Sequence, residues 1–389
     1  MFSLNRIGQL LQHLPRAVFD RAVQQHKAER HCKGFRCWDQ LVAMVYGQLS
    51  GAGSLRELEV GFNQYGAQHY HLGTRAVRRS TLADANARRT PQVFAQTAQA
   101  LMGMANRRTR REGNELLYLL DSSSIALRER GHEWARASAT RIPGLKLHVL
   151  LDAQQARPAH HSITAANVND LDEARKLCVQ PGATYVFDKG YCDYNWWSRI
   201  DCAGAYFVTR LKRNAAVRRV SSRTLQEDCP ESAIVADEVI EMIHRSCRGG
   251  HRNDYRSPLR RVMVRREGEQ PLVLVTNNLQ ASAQQVARWY KDRWQIELLF
   301  KWIKQHLRIK RFWGQSENAI RIQLITALIA YLLVLMQNAS GAAKRALWYE
   351  LAELRAGLFF RPDPERAQAQ RLRARERLLQ QQQSDLFAT

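Results

Sequence analysis

Tyr290, Arg293, Glu297 and Lys304 stand out because their types and spacing could do chemistry together. At 100° per residue they fall within an arc of about 60° on a predicted helix over 282–308. Ile296, Leu299 and Ile303 lie toward the opposite side, so the helix can bury an apolar stripe while offering a carboxylate, two cations and a phenol to a ligand. That is a face for gripping phosphate, with one metal ligand among the cations. A surface ladder pairing Arg293 with Glu297 four residues on would fit those two charges as well, but it leaves Tyr290 and Lys304 unexplained.

Further acids close short apolar runs. Leu116–Leu120 stops at Asp121, Leu145–Leu151 at Asp152, and Ala183–Phe187 at Asp188-Lys189-Gly190; a fourth run covers Ala205–Leu211. These read as neighbouring buried strands that set carboxylates along one sheet rim. Taken singly, an Asp that closes a strand is also an ordinary turn residue.

The elements that must position these acids divide the chain into five stretches. Residues 1–110 read as helical, with Trp38, Leu41, Val42, Val45 and Leu49 forming one buried stripe that Gly51 and Gly53 end. Ser54 and Glu57 then form a capping-box pattern. Another helix start at Ser80 is crowded by Arg75, Arg78, Arg79, Asp84, Asn86, Arg88 and Arg89; such side chains can grip phosphates and base edges, or make a solvated face. Residues 111–212 carry the strand runs. Residues 213–283 are Arg- and Ser-rich, broken by β-type runs at Arg261–Val264 and Leu272–Val275, and read as an inserted β-rich subdomain. Helical patterns return over 284–340, and 341–389 reads as a basic helical tail.

Bulk composition narrows the partner. The chain has 389 residues, 45% of them apolar and 24% charged, enough for a sizeable core in two or three domains. Its 59 Lys and Arg against 36 Asp and Glu give a formal charge of +23, which favours a polyanion, nucleic acid before an anionic membrane. The longest near-continuous apolar run, Leu324–Met336, has 13 residues, shorter than the roughly 20 that cross a bilayer, and is expected to be a buried helix. No secretory signal pattern opens the chain, so a cytoplasmic, nucleoid-associated protein is expected. Seven scattered cysteines suit a reducing compartment; Cys32 and Cys37 beside His31 lack the second pair that a zinc finger needs.

The spacing Tyr290-x-x-Arg293-x-x-x-Glu297-x6-Lys304 resembles the signature of the bacterial insertion-sequence transposases of the DDE class. The resemblance runs over roughly residues 50–340, through Ser80-Thr81-Leu82, Leu120-Asp121-Ser122-Ser123, Leu145-Lys146-Leu147-His148 and Asp188-Lys189-Gly190-Tyr191. It implies an α/β fold: an RNase H-like catalytic core interrupted by a β-rich insertion, with a helical N-terminal DNA-binding region and a helical C-terminal part. It also implies that Asp121, Asp188 and Glu297 are catalytic, each in the family's place, and that the long step from Asp188 to Glu297 is filled by the insertion. Three carboxylates on two divalent ions can activate a water or a 3′-hydroxyl and stabilise the leaving oxygen at phosphorus. Hard oxygen ligands suit Mg²⁺ or Mn²⁺ rather than zinc.

By the same resemblance, Tyr290, Arg293 and Lys304 contact phosphates near the transposon end. The expected partners are terminal inverted repeats and target DNA, with a homodimer on paired ends and no membrane. Lys146 and His148 alternate along a strand and are expected on one face beside Asp121, where DNA contact and a structural role both remain open. Trp196 and Trp197 are expected in the core. Relatives that form a DNA hairpin hold a flipped base with an aromatic residue in the insertion; here Tyr255 is the only aromatic residue well inside that stretch. A structure-specific nuclease of the same fold, and a repurposed DNA-binding copy without activity, are the alternatives.

Overall fold

A computed structural model of the chain describes residues 5–111, 116–127, 131–135, 143–224, 233–243, 253, 255–340 and 345–360. The chain forms two compact units, one of Met1–Met104, Leu127–Arg136 and Trp302–Thr389, the other of Ala105–Ala126 and Ala137–Lys301.

The chain opens with α1 (Arg6–Leu11), α2 (Arg16–Gln25), α3 (Cys37–Ser50), α4 (Leu55–Asn63), α5 (Arg79–Arg88) and α6 (Gln92–Arg111). The expected stripe of α3 is buried, but so is most of the rest of the helix, including Gln40 and Gln48. Gly51 ends it at φ +75°, a left-handed conformation that strains any side chain. The cap of α4 is offset by one residue from the expected pattern: Ser54 Oγ accepts from the Glu57 amide at 3.2 Å, while the Glu57 carboxylate accepts from Gly53 N at 2.7 Å. The Cys32 and Cys37 thiols each donate to a backbone carbonyl, Phe35 at 2.8 Å and Ala28 at 3.8 Å.

The second unit is a mixed nine-stranded sheet. Its strands are β1 (Leu117–Ala126), β2 (Gly144–Asp152), β3 (Arg157–Ala165), β4 (Thr184–Phe187), β5 (Tyr206–Arg210), β6 (Val217–Ser222), β7 (Ile234–Met242), β8 (Leu259–Arg266) and β9 (Glu269–Thr276), in the order β3-β2-β1-β4-β5-β9-β8-β7-β6. The pairs β1–β4 and β4–β5 are parallel and the others antiparallel. The strands of the stretch 213–283 continue the same sheet, β9 pairing with β5. Helices α7 (Asp170–Ala174), α8 (Tyr194–Cys202), α9 (Ala283–Asp292) and α10 (Trp294–His306) complete the element order up to this point.

Strand alternation separates the sheet's two faces. Tyr118, Leu120, Tyr185, Phe187 and Phe207 join Trp196, Trp197 and Ile200 of α8 in one apolar cluster, which places both tryptophans in the core as expected. Asp121 and Asp188 have the opposite parity. The predicted helix over 282–308 is instead two helices, because at Arg293 the amide bonds tighten to three-residue steps, Arg293 N to Tyr290 O and Ile296 N to Arg293 O. Ile296, Leu299 and Ile303 are buried.

From Trp302 onward the residues belong with the N-terminal helices, through α11 (Glu317–Ser340) and α12 (Leu347–Ala356). At 24 residues α11 is longer than the apolar run suggested, and long and apolar enough to cross a membrane, but 83% of its apolar window is buried inside the protein. It packs on α3, α5, α12 and α1. Two buried glutamines lock the turn before it. Gln48 Oε1 accepts from Arg308 N at 2.8 Å; Gln323 Nε2 donates to Arg308 O at 2.6 Å and Arg311 O at 3.0 Å, and its Oε1 accepts from Trp313 N at 2.8 Å. The tail expected beyond Pro362 lies outside the described residues.

Candidate active site

Register builds the centre of the site. On the parallel pair β1–β4, Leu119 stands beside Val186 and Leu120 beside Phe187, so the next residues on the two strands are Asp121 and Asp188. Asp188 follows the last residue of β4, as the sequence suggested, whereas Asp121 is the fifth residue of a ten-residue strand and ends nothing. Asp152 is not on this rim: it pairs with Tyr118 at the far end of the antiparallel β1–β2 ladder, where its carboxylate accepts from the Gln154 and Gln155 amides.

Helices α9 and α10 deliver the rest. Arg293, at the junction between them, donates to Glu297 Oε1 at 2.6 Å and to Asp121 Oδ2 at 3.5 Å. One guanidinium thus sits between the strand carboxylate and the helix carboxylate, and its Nε has no partner among the described residues. The ladder of Arg293 with Glu297 is present, but it is part of the cluster rather than an alternative to it. The guanidinium also lies 5.7 Å from the centre of the Tyr290 ring.

Burial pushes the Asp121 carboxyl up to about 6; the Ser122 amide and Arg293 oppose that shift, while Glu297 and Asp188 add to it. The negative charges of Glu297 and Asp188 are thus both felt at Asp121. Among the described residues no three acidic, His or Cys side chains stand close enough to share one metal ion in this conformation, with Arg293 between two of the acids. The donor set itself, carboxylate oxygens only, fits a hard divalent cation.

Two residues near the acids were not given roles by the sequence. Tyr191, in the turn after Asp188, is 2% exposed; burial and the charges of Asp170, Asp121 and Asp188 push its hydroxyl far above the usual tyrosine range, so it stays neutral. Arg210, the last residue of β5, lowers the pKa of Tyr290, although burial raises it overall. The signal for each was present, a tyrosine in the Asp188-Lys189-Gly190-Tyr191 motif and a cation closing a strand run, but nothing in the spacing distinguished them.

Other expected site residues lie elsewhere. His148 is opposite Ser122 and Lys146 opposite Ser124, so both have the parity opposite to Asp121 and point away from its face. Lys146 Nζ donates to Val168 O at 2.8 Å and Asp170 at 3.0 Å, and His148 shares a 2.8 Å hydrogen bond with Thr164. Both are fastened between β2 and its neighbours. Tyr255 is 1% exposed, stacked edge-on against Trp197 and Phe207; it is a core residue and cannot hold a base as it stands.

Five of the residues expected to contact DNA belong to the other unit. Arg78, Arg79 and Arg88 are exposed, Arg88 with Asp84 at 4.0 Å. Arg89 is turned inward, donating to Gln40 and the Phe35 carbonyl, and Asn86 is buried on Gln40 and Met44, which removes both from a surface that reads bases. Lys304 is half-buried on α10; burial and neighbouring Lys310 lower its pKa.

The chain is similar to several known proteins. A family model for the transposase DDE domain matches residues 112–333, and one for a domain of unknown function matches residues 5–75. The chain is 44% identical over 253 residues to a Sinorhizobium fredii protein named as transposase y4zB, covering 65% of this chain and 69% of that one. It is 26% identical over 273 residues to a Geobacillus stearothermophilus protein named as a transposase for insertion sequence element IS5377, covering 69% and 68%. A cryo-EM structure of the piggyBac transposase synaptic complex with hairpin DNA matches at a TM-score of 0.48 and 10% identity, over 95% of this chain and 80% of that one.

Proposed function

The chain belongs to the DDE transposases, DNA endonucleases and strand transferases that use divalent metal ions, and on that premise we propose that Asp121, Asp188 and Glu297 hold two Mg²⁺ ions in an RNase H-like core. The observation that carries this reading is the rung on which Asp121 and Asp188 follow Leu120 and Phe187, with Glu297 joined to Asp121 through Arg293. When bound, the ions would supply an activated water or 3′-hydroxyl and charge stabilisation at the leaving oxygen.

The chain's own side chains do the remaining work. Asp121, half-buried and feeling the charges of two other acids, favours any partner that brings positive charge. Arg293 balances Asp121 and Glu297 before substrate arrives, and its planar fork suits a phosphate once DNA is present. Tyr290 and Lys304 of the signature are assigned to phosphates of the transposon end. The first reaction is hydrolysis at that end, leaving a 3′-hydroxyl that attacks the opposite strand or the target.

Two finer steps belong to the same proposal. Pairing two ends requires two protomers in the active complex. The hairpin route stays with the Tyr-Arg-Glu-Lys signature, although Tyr255 is not its base-holding residue. The test is a sequencing gel with duplexes carrying the element's own terminal repeats: Mg²⁺- or Mn²⁺-dependent nicking at the repeat boundary is expected, and its absence at any protein concentration overturns the assignment.

A further inference from the structure

The insertion contains a second basic feature that the acids and the signature do not use. A solvent-open cavity of about 220 Å³ lies at the start of α9, lined by Arg223, Asp237, Arg260, Ser282, Ala283 and Gln284 among others. Arg260 is 4% exposed; its Nε donates to Asp237 at 2.8 Å and its Nη2 to the same carboxylate, while Nη1, also buried, has no acceptor among the described residues. A buried guanidinium nitrogen without an acceptor is uncommon and calls for an explanation.

Two further groups converge there. Arg223, just after β6, makes no ion pair among the described residues, and of the described residues that line the cavity the charged ones are Arg223, Arg260 and Asp237. Ser282 caps α9 by accepting from the Gln285 amide at 3.1 Å, and the Val286 amide bonds Ser282 O, which leaves the first-turn amides of Ala283 and Gln284 without acceptors among the described residues. A ten-residue helix start with open amides, a buried arginine whose Nη1 finds no acceptor among the described residues, and a second arginine line one cavity, and such groups favour an anion.

We propose that this cavity takes a backbone phosphodiester of bound DNA, a second anchoring point for the duplex. The proposal rests on the transposase reading for the identity of the anion. Ser282 and Arg293 are the caps at the two ends of α9, about 16 Å apart at 1.5 Å per residue. The anchored phosphate therefore lies roughly half a turn of duplex from the signature residues, and α9 acts as a spacer that fixes the strand at two points.

The test uses the full chain and a duplex carrying the terminal repeat, with Arg223→Gln and Gln284→Glu. Gln284 is exposed, and an acid in the first turn favours the helix while repelling phosphate, so this variant folds if the wild type does. Each variant is expected to weaken duplex binding and to flatten the slope of log K against log salt by about one, with melting temperature unchanged. Unchanged slopes in both, with wild-type nicking intact, overturn the second anchor and leave the active-site reading standing. Altered slopes without any wild-type nicking do the reverse. If inorganic phosphate raises the melting temperature of the wild type but not of Gln284→Glu, and duplex binding is the same in both, the cavity is a free-phosphate site and the DNA assignment falls.

Discussion

Arg293 donates to Glu297 at 2.6 Å and reaches Asp121 at 3.5 Å, so the cation nearest the candidate catalytic acids is supplied by the protein itself. This relation sets up a competition between a side chain and a metal for the same oxygens.

Replacing Arg293 with Gln should therefore tighten divalent-ion binding in the absence of DNA. The gain expected is roughly tenfold, the worth of one charge-assisted hydrogen bond. Titration of Mn²⁺ followed by calorimetry and by the shift in melting temperature measures it; equal affinities would show that Arg293 does not compete. Nicking should still fall, because the phosphate contact is lost with it.

Asp121 gives a pH signature. Its folded pKa is raised from 3.8 to about 6, so the folded state holds this proton more tightly than the unfolded chain. Stability contributed by this group is then lost as pH climbs from 3.8 through about 6. Asp121→Asn should melt above the wild type at pH 7 to 8, with the difference closing below pH 4, and should abolish nicking while leaving duplex binding as strong or stronger. Thermal melts across pH with metal chelated report the first effect, gels and binding isotherms the second.

Much of the site was legible before any coordinates, because chemistry restricts what residue types can sit there. The apolar runs and the signature spacing put Asp188 just after a strand and Glu297 on a helix, as found, whereas Asp121 was expected to close a strand that in fact runs on through it. What stayed hidden depended on pairing. Nothing in Asp121-Ser122-Ser123-Ser124 distinguishes a continuing strand from a turn, and only the neighbour at Phe187 reveals the shared rung. β3 was missed because its Arg157-Pro158 start and paired His160 and His161 lack an apolar run. The break at Arg293 carries no Gly or Pro to announce it.

Tyr255 separates core from function cleanly. Tyr255→Phe should leave both melting temperature and the nicking products unchanged, whereas Tyr255→Ala should destabilise by about 3–5 kcal/mol through the cavity it leaves among Trp197 and Phe207. A loss of hairpin product in Tyr255→Phe at full stability would return this residue to the DNA.

Gln323 makes a comparable claim for the helical unit. Gln323→Leu keeps the volume but strands the carbonyl of Arg311 and the amide of Trp313, and leaves the Arg308 carbonyl only its 3.4 Å bond from Gln48, at a cost of about 2–3 kcal/mol. Urea unfolding measures this directly, and a variant within error of wild type would mean that water replaces all three bonds.

The pairing of β9 with β5 has a mechanical consequence. Because β9 hydrogen-bonds directly to β5, which in turn pairs with β4 ahead of Asp188, the added strands cannot swing as a module on a tether; any bend must twist the whole plank. Excising them would bare the β5 flank to foreign strands and invite clumping. Grafting this segment between proteins would accordingly require the border strand to travel with it.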